Sequence, residues 1–133
     1  MTDFAYLSEN SAIEKAKNEL EDFFVKSQLS PQITAKMLIV IDEIVSNIVF
    51  YGNKEHGMFT ISTDIKDNEL ILIFKDNGIR FNPLEQSSPD INKPTRERDV
   101  GGLGILIVKK MADYLSYEYR DECNILTFKK KIN

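Results

Sequence analysis

Ile41-Asp-Glu-Ile-Val-Ser-Asn-Ile-Val-Phe-Tyr-Gly52 closes a long helical pattern and carries a carboxylate and an amide one turn apart. Upstream, Ser30-Pro31 reads as a cap followed by proline at the first helical position, where a missing N–H costs nothing. Ile33, Met37, Ile41, Ile44 and Ile48 then keep one face apolar, and Gly52 ends the run. Glu43 and Asn47 share a face because they are four apart, and Lys36 and Val40 extend the same stripe. One reading makes this pair the polar edge of an amphipathic helix. The other starts from the cost of burying polar groups without partners. On that reading the Asn47 oxygen ligates a hard cation such as Mg²⁺, and Glu43 takes a proton from an attacking hydroxyl or water.

Outward from this helix, the N-terminal side offers a short strand at 4–7 and a second amphipathic helix. Ser11 and Glu14 form a Ser-x-x-Glu capping box, followed by Ile13, Ala16, Leu20, Phe23 and Phe24 at helical spacing. On the C-terminal side, 58–64 and 70–75 are β-branched and apolar runs joined by Lys66-Asp67-Asn68, a hairpin. From Asn82 the chain turns polar and proline-rich up to about residue 100, which predicts a lid over about 82–100. Leu103, Ile107, Met111 and Leu115 restore a helical face, and strands at 116–120 and 125–130 flank a turn at Asp121-Glu122. The order predicts an α+β fold of two layers, with helices on one face of a mixed, mostly antiparallel sheet.

Two further stretches have the composition of a site. Asp76-Asn-Gly78 ends the apolar run Leu70-Ile-Leu-Ile-Phe74-Lys75. It is ordinary turn chemistry at a strand end. It also suits a buried carboxylate accepting from the exocyclic amine of adenine, beside a glycine that lets a flat ring approach the backbone. Gly101-Gly-Leu-Gly104 opens a helix, where backbone N–H groups bind anions. It serves equally as a lid hinge, and it matches neither a P-loop nor a dinucleotide fingerprint. Arg96 and Arg98, just upstream, are lid residues within reach of a terminal phosphate, or simply exposed.

The 133 residues fit one domain, 1–133. Seventeen basic against 21 acidic side chains give a net charge of −4, which argues against nucleic-acid binding. Cys123 is the only cysteine, so no disulfide forms within the chain, and a reducing cytoplasm is expected. The first residues lack the pattern of a secretory leader, and no apolar run approaches the ~20 residues of a membrane span. His56, the only histidine, falls in a Lys54-Glu55-His56-Gly57 turn, so Cys/His metal sites are not expected.

Taken together, the three stretches resemble the ATP-binding Bergerat fold shared by gyrase, Hsp90, histidine kinases and MutL. Glu43-x-x-x-Asn47 looks like its first box, Asp76-x-Gly78-x-x-Phe81 its second and Gly101-Gly-Leu-Gly104 its third. Within that superfamily the chain is most similar to the bacterial anti-sigma factor serine kinases, over Ile41 to Gly52, Asp76 to Pro83 and Gly101 to Leu115. The resemblance implies Glu43 as catalytic base, Asn47 as Mg²⁺ ligand, and Asp76 and Gly78 around adenine. It places Gly102 and Gly104 on the phosphates, with Phe81, Gly101, Leu103 and Arg98 completing the ATP site.

The implied function is an ATP- and Mg²⁺-dependent serine kinase that binds a sigma factor in one state and phosphorylates a STAS-type anti-anti-sigma protein in another, often as a homodimer. Two alternatives are a partner-switching adaptor that keeps ATP only as a conformational ligand, and a histidine-kinase catalytic domain. Arg80 departs from the pattern, because many relatives have glycine there. The lid is also short.

Overall fold

The computed structural model describes residues 1–52, 57–85 and 102–132. Its elements are β1 (Thr2–Leu7), α1 (Ser11–Lys26), α2 (Pro31–Gly52), β2 (Met58–Lys66), β3 (Glu69–Asp76), a 3₁₀ turn (Pro83–Glu85), α3 (Gly102–Met111), β4 (Tyr114–Arg120) and β5 (Cys123–Lys131). The strands form one sheet in the order β1-β2-β3-β5-β4. The sheet, expected as mostly antiparallel, is antiparallel at each of its four pairings. β3 and β4 do run in the same direction, but β5 enters between them as the return arm of a hairpin.

Two-residue turns set the register of both hairpins. Asp67 and Asn68 have φ of 54° and 62°, and Asp121 and Glu122 have φ of 54° and 60°. Paired positive φ values match the right-handed twist of the flanking strands. Asp and Asn tolerate them, whereas Glu122 has no such ease. Each hairpin is therefore longer than the apolar runs suggested, because pairing continues up to the turn residues themselves.

The helix ends obey local chemistry, with one correction. Ser30 caps α2 as expected, its Oγ accepting from the Ile33 N–H at 3.2 Å. The capping box at Ser11 does not form. Asn10 is the cap residue, and the Ser11 hydroxyl donates instead to Glu9 Oε1 at 3.0 Å. Backbone bonds from Ala12 to Glu9 and from Ile13 to Asn10 start the helix one residue early, which takes Ser11 out of capping position. α1 closes with Gln28 at φ 64°, the Leu29 and Gln28 N–H groups donating to the Phe24 and Val25 carbonyls. That pair of hydrogen bonds is the Schellman arrangement, and it turns the chain sharply into α2.

Alternation along the strands puts Phe59, Ile61, Leu70, Leu72, Phe74 and Phe128 on one buried face. Leu20 and Phe24 of α1 and Met37, Val40, Ile41 and Val45 of α2 join them in one core cluster. Among the described residues, no helix is long and apolar enough to cross a membrane.

Candidate functional site

At one end of this buried face, polar residues replace apolar ones. The register sets Phe59 opposite Asp76 and Asp76 opposite Asn124. The C-terminal half of α2 lies over them, so that Asn47, Tyr51 and Gly52 line a cavity together with Asp76 and Asn124. Tyr117 of β4 and Ile79, Phe81 and Pro83 from the segment after β3 complete the lining. The cavity holds about 30 Å³, far below the roughly 300–1,000 Å³ of occupied ligand pockets. Tyr51 and Phe81 stack across it at 4.6 Å between centroids and 10° between planes.

Asp76 is 8% exposed, and its Oδ1 accepts from the Gly78 N–H at 2.9 Å and from Asn124 Nδ2 at 3.0 Å. Burial pushes its carboxyl above the usual range, and those two bonds bring it part of the way back. Asn47 is 5% exposed, and neither its Oδ1 nor its Nδ2 has a hydrogen-bond partner. An unpaired buried polar group costs about 1–3 kcal/mol. The hydroxyls of Thr34 and Thr63 are also unpaired, but of these residues only Asn47 lines the cavity. A buried amide oxygen without a partner suits a hard cation that keeps most of its waters, as Mg²⁺ does. Among the described residues no group of three His, Cys, Asp or Glu side chains could hold a metal, so the protein's share of such a site would be small.

Glu43 lies one turn before Asn47, outside the lining. Its carboxylate packs against Gly104 in the first turn of α3, where any added Cβ would collide with Oε2. Burial first, and then the adjacent Asp42, raise its pKa. Asp42 is itself held by Lys17 Nζ at 3.0 Å and by the Ser46 hydroxyl at 3.1 Å.

The sequence-predicted residues that are described lie in or beside the cavity and at the start of α3. Asn47, Asp76 and Phe81 share the cavity, and Glu43 meets Gly104 beside it. Gly78 adjoins the cavity through Gly52, whose carbonyl accepts from the Ile79 N–H at 3.3 Å. Gly102 and Leu103 begin α3, although the surroundings of the Leu103 side chain lie outside what is described. Gly101, Arg96, Arg98 and His56 lie outside the described residues. The first residues of the expected lid, Pro83–Glu85, form a 3₁₀ turn, and Lys109 Nζ donates to the Leu84 carbonyl at 3.1 Å. Arg80, the departure from the pattern, sits over the Tyr119 ring, 4.9 Å from its centroid. Of the stripe partners, Val40 is buried and Lys36 is exposed.

Tyr51, Tyr117 and Asn124 escape the sequence reading. The signal for Asn124 was an amide at the head of an apolar strand, hidden because the strand was expected to start at Ile125. Gly78 is more constrained than its turn suggests. A Cβ there would stand 2.7 Å from Gly52 Cα and 3.0 Å from Asp76 Oδ1. Gly78→Ala must move one backbone against another, and is expected to destabilise the fold by about 1–3 kcal/mol. Thermal unfolding measures this, and an unchanged midpoint would contradict the close approach.

The chain matches the family described as "Histidine kinase-like ATPase domain" over residues 7–130. It is 29% identical over 110 residues to an anti-sigma F factor of Clostridium kluyveri, a match covering 80% of this chain and 77% of that protein. It is 26% identical over 110 residues to the serine/threonine-protein kinase BtrW of Bordetella bronchiseptica, covering 81% and 78%. The crystal structure of the RsbU and RsbW domains of Rv1364c from Mycobacterium tuberculosis superposes with a TM-score of 0.68. At 10% identity, over 99% of this chain and 33% of that one, this shows a shared fold. The five-stranded antiparallel sheet with its helices on one face, and a match running from residue 7 to residue 130, lead to one conclusion: the chain belongs to the histidine kinase-like ATPase domain family.

Proposed function

We propose that this chain is an ATP- and Mg²⁺-dependent serine protein kinase that doubles as an anti-sigma factor. It holds a sigma factor in one state and, in another, phosphorylates a STAS-type anti-anti-sigma protein on serine. The observation that carries the reading is the buried, unpartnered amide of Asn47 lining the same cavity as Asp76, in a chain of an ATPase-domain family. An anti-sigma F factor and a serine/threonine kinase among the similar proteins support the choice of function within that family.

The chemistry assigned to each residue follows from its surroundings. Asp76 spends Oδ1 on internal donors and keeps its other oxygen for the adenine amine. Tyr51 and Phe81 separate to admit the base. The first turn of α3, from Gly102 to Gly104, offers N–H groups to the phosphates, and Gly101 and Arg98 are assigned to the same role. Bound Mg²⁺, held through Asn47, would neutralise charge on the phosphates. Glu43 accepts the proton of the attacking serine hydroxyl. Phosphoryl transfer needs mainly such positioning and charge neutralisation.

The test combines the protein, Mg²⁺, γ-labelled ATP and a cognate STAS-type protein. Label on a serine of the partner is the expected result. ATP binding without transfer would replace the kinase with a nucleotide-dependent adaptor, and no ATP binding would end both readings.

A further inference from the structure

We infer that Asn124 is a positioning residue that fixes which oxygen of Asp76 reads the 6-position of a purine, and so sets base selectivity without itself hydrogen-bonding to the ligand. The inference rests on the nucleotide reading above and adds a residue to it.

Asn124 is 6% exposed and uses every polar atom of its side chain. Its Oδ1 accepts from the Phe81 N–H at 3.0 Å and from the Tyr117 hydroxyl. Its Nδ2 donates to the Ile79 carbonyl at 2.9 Å and to Asp76 Oδ1 at 3.0 Å. A backbone N–H only donates and a backbone carbonyl only accepts, so Phe81 and Ile79 fix the amide in one orientation. Asp76 Oδ1 therefore faces a true donor, and the Gly78 N–H supplies a second one to the same oxygen. An oxygen that accepts twice carries no proton. Both bonds fall on Oδ1, which leaves Oδ2 as the acceptor for the cavity.

This arrangement has consequences for selectivity. An acceptor fixed in place rewards a 6-amino group, gains nothing from a 6-hydrogen, and repels a 6-oxo group. Without Asn124 the carboxylate loses one of its two anchors, and the segment from Ile79 to Phe81 loses its tie to β5. The Gly78 N–H alone would let the carboxylate turn about its own axis, and the distinction between 6-substituents would blur. Tyr117 supports this arrangement, because its hydroxyl donates to the Asn124 oxygen.

The experiment titrates the full chain with Mg²⁺-ATP and with Mg²⁺-purine riboside triphosphate, which lacks the 6-amino group, by calorimetry. Wild type is expected to favour ATP by about tenfold or more, the worth of one hydrogen bond to a charged acceptor. Asn124→Leu is expected to reduce that preference to about threefold or less while still binding the analogue. If leucine prevents folding, judged by circular dichroism, Asn124→Ser is a second variant, too short to span Asp76 and Ile79, with the same expected loss. Equal weakening of both ligands, with the preference retained, would make Asn124 a structural support only and overturn the inference. A wild-type preference near unity would overturn it as well. Failure of wild type to bind either triphosphate would instead remove the nucleotide reading, and this inference with it.

Discussion

Asp76→Asn is expected to keep the fold and to remove most of the affinity for ATP, by about a hundredfold. The fold survives because Asp76 Oδ1 already accepts from Gly78 and Asn124, and an asparagine oxygen can still accept both bonds. What changes is the other atom. An NH₂ group replaces the free oxygen and faces the adenine amine, donor against donor. The hydrogen bond to a charged acceptor is worth about 1.5–3 kcal/mol, and the unmatched donors add to the loss. Titration with Mg²⁺-ATP measures the result, and an unchanged affinity would remove the adenine assignment.

The same substitution predicts an opposite effect on stability. Burial raises the Asp76 pKa in the folded chain, so the unfolded state ionises more readily. A carboxyl shifted in this direction contributes stability below its unfolded pKa and loses it as pH rises through its folded value. Wherever Asp76 is ionised it therefore costs the unliganded fold some stability, and the neutral asparagine relieves that cost. Asp76→Asn is expected to melt no lower than wild type at pH 7 while binding ATP poorly. ATP affinity in wild type falls as pH drops through the raised value, because the protonated carboxyl offers the amine a donor.

The same residues explain how much could be read from the sequence. Among the described residues, periodicity located the long elements, because the apolar faces at 33–48, 58–64 and 70–75 repeat. The α3 face is a correction: the helix ends at Met111, Leu115 belongs to β4, and Ile105 and Val108 are buried where Ile107 was expected. The ends of the elements were less legible. Pairing in both hairpins runs to residues that look like turn, and the start of α1 was set by backbone bonds to Glu9 and Asn10 rather than by the serine of the Ser-x-x-Glu pattern. In the site, Asn47 and Asp76 stood out as polar groups within apolar elements. Asn124 did not, because its meaning depends on a register partner 48 residues away. The stacking of Tyr51 on Phe81 is likewise a contact between distant segments, and no local pattern announces it.

Glu43→Ala is expected to abolish phosphoryl transfer while leaving ATP binding largely intact. Glu43 lies outside the cavity lining, so its loss removes no contact with the base. It packs on the first turn of α3, beside the glycines assigned to the phosphates, where a hydroxyl approaching the terminal phosphate would need a base. General-base catalysis is typically worth about 10²–10⁴ in rate, which is enough to put the variant below detection in a labelled-ATP assay. Its pH dependence gives a second check. Burial and Asp42 raise the Glu43 pKa, and a base works only when deprotonated. Wild-type transfer should therefore fall on acidification at a pH above that of an ordinary glutamate. Lys17 neutralises Asp42 at 3.0 Å, so loss of Lys17 would move that fall to still higher pH. A Glu43→Ala protein that transfers phosphate at the wild-type rate would assign the base to another residue, and the contact between Glu43 and Gly104 would then be packing alone.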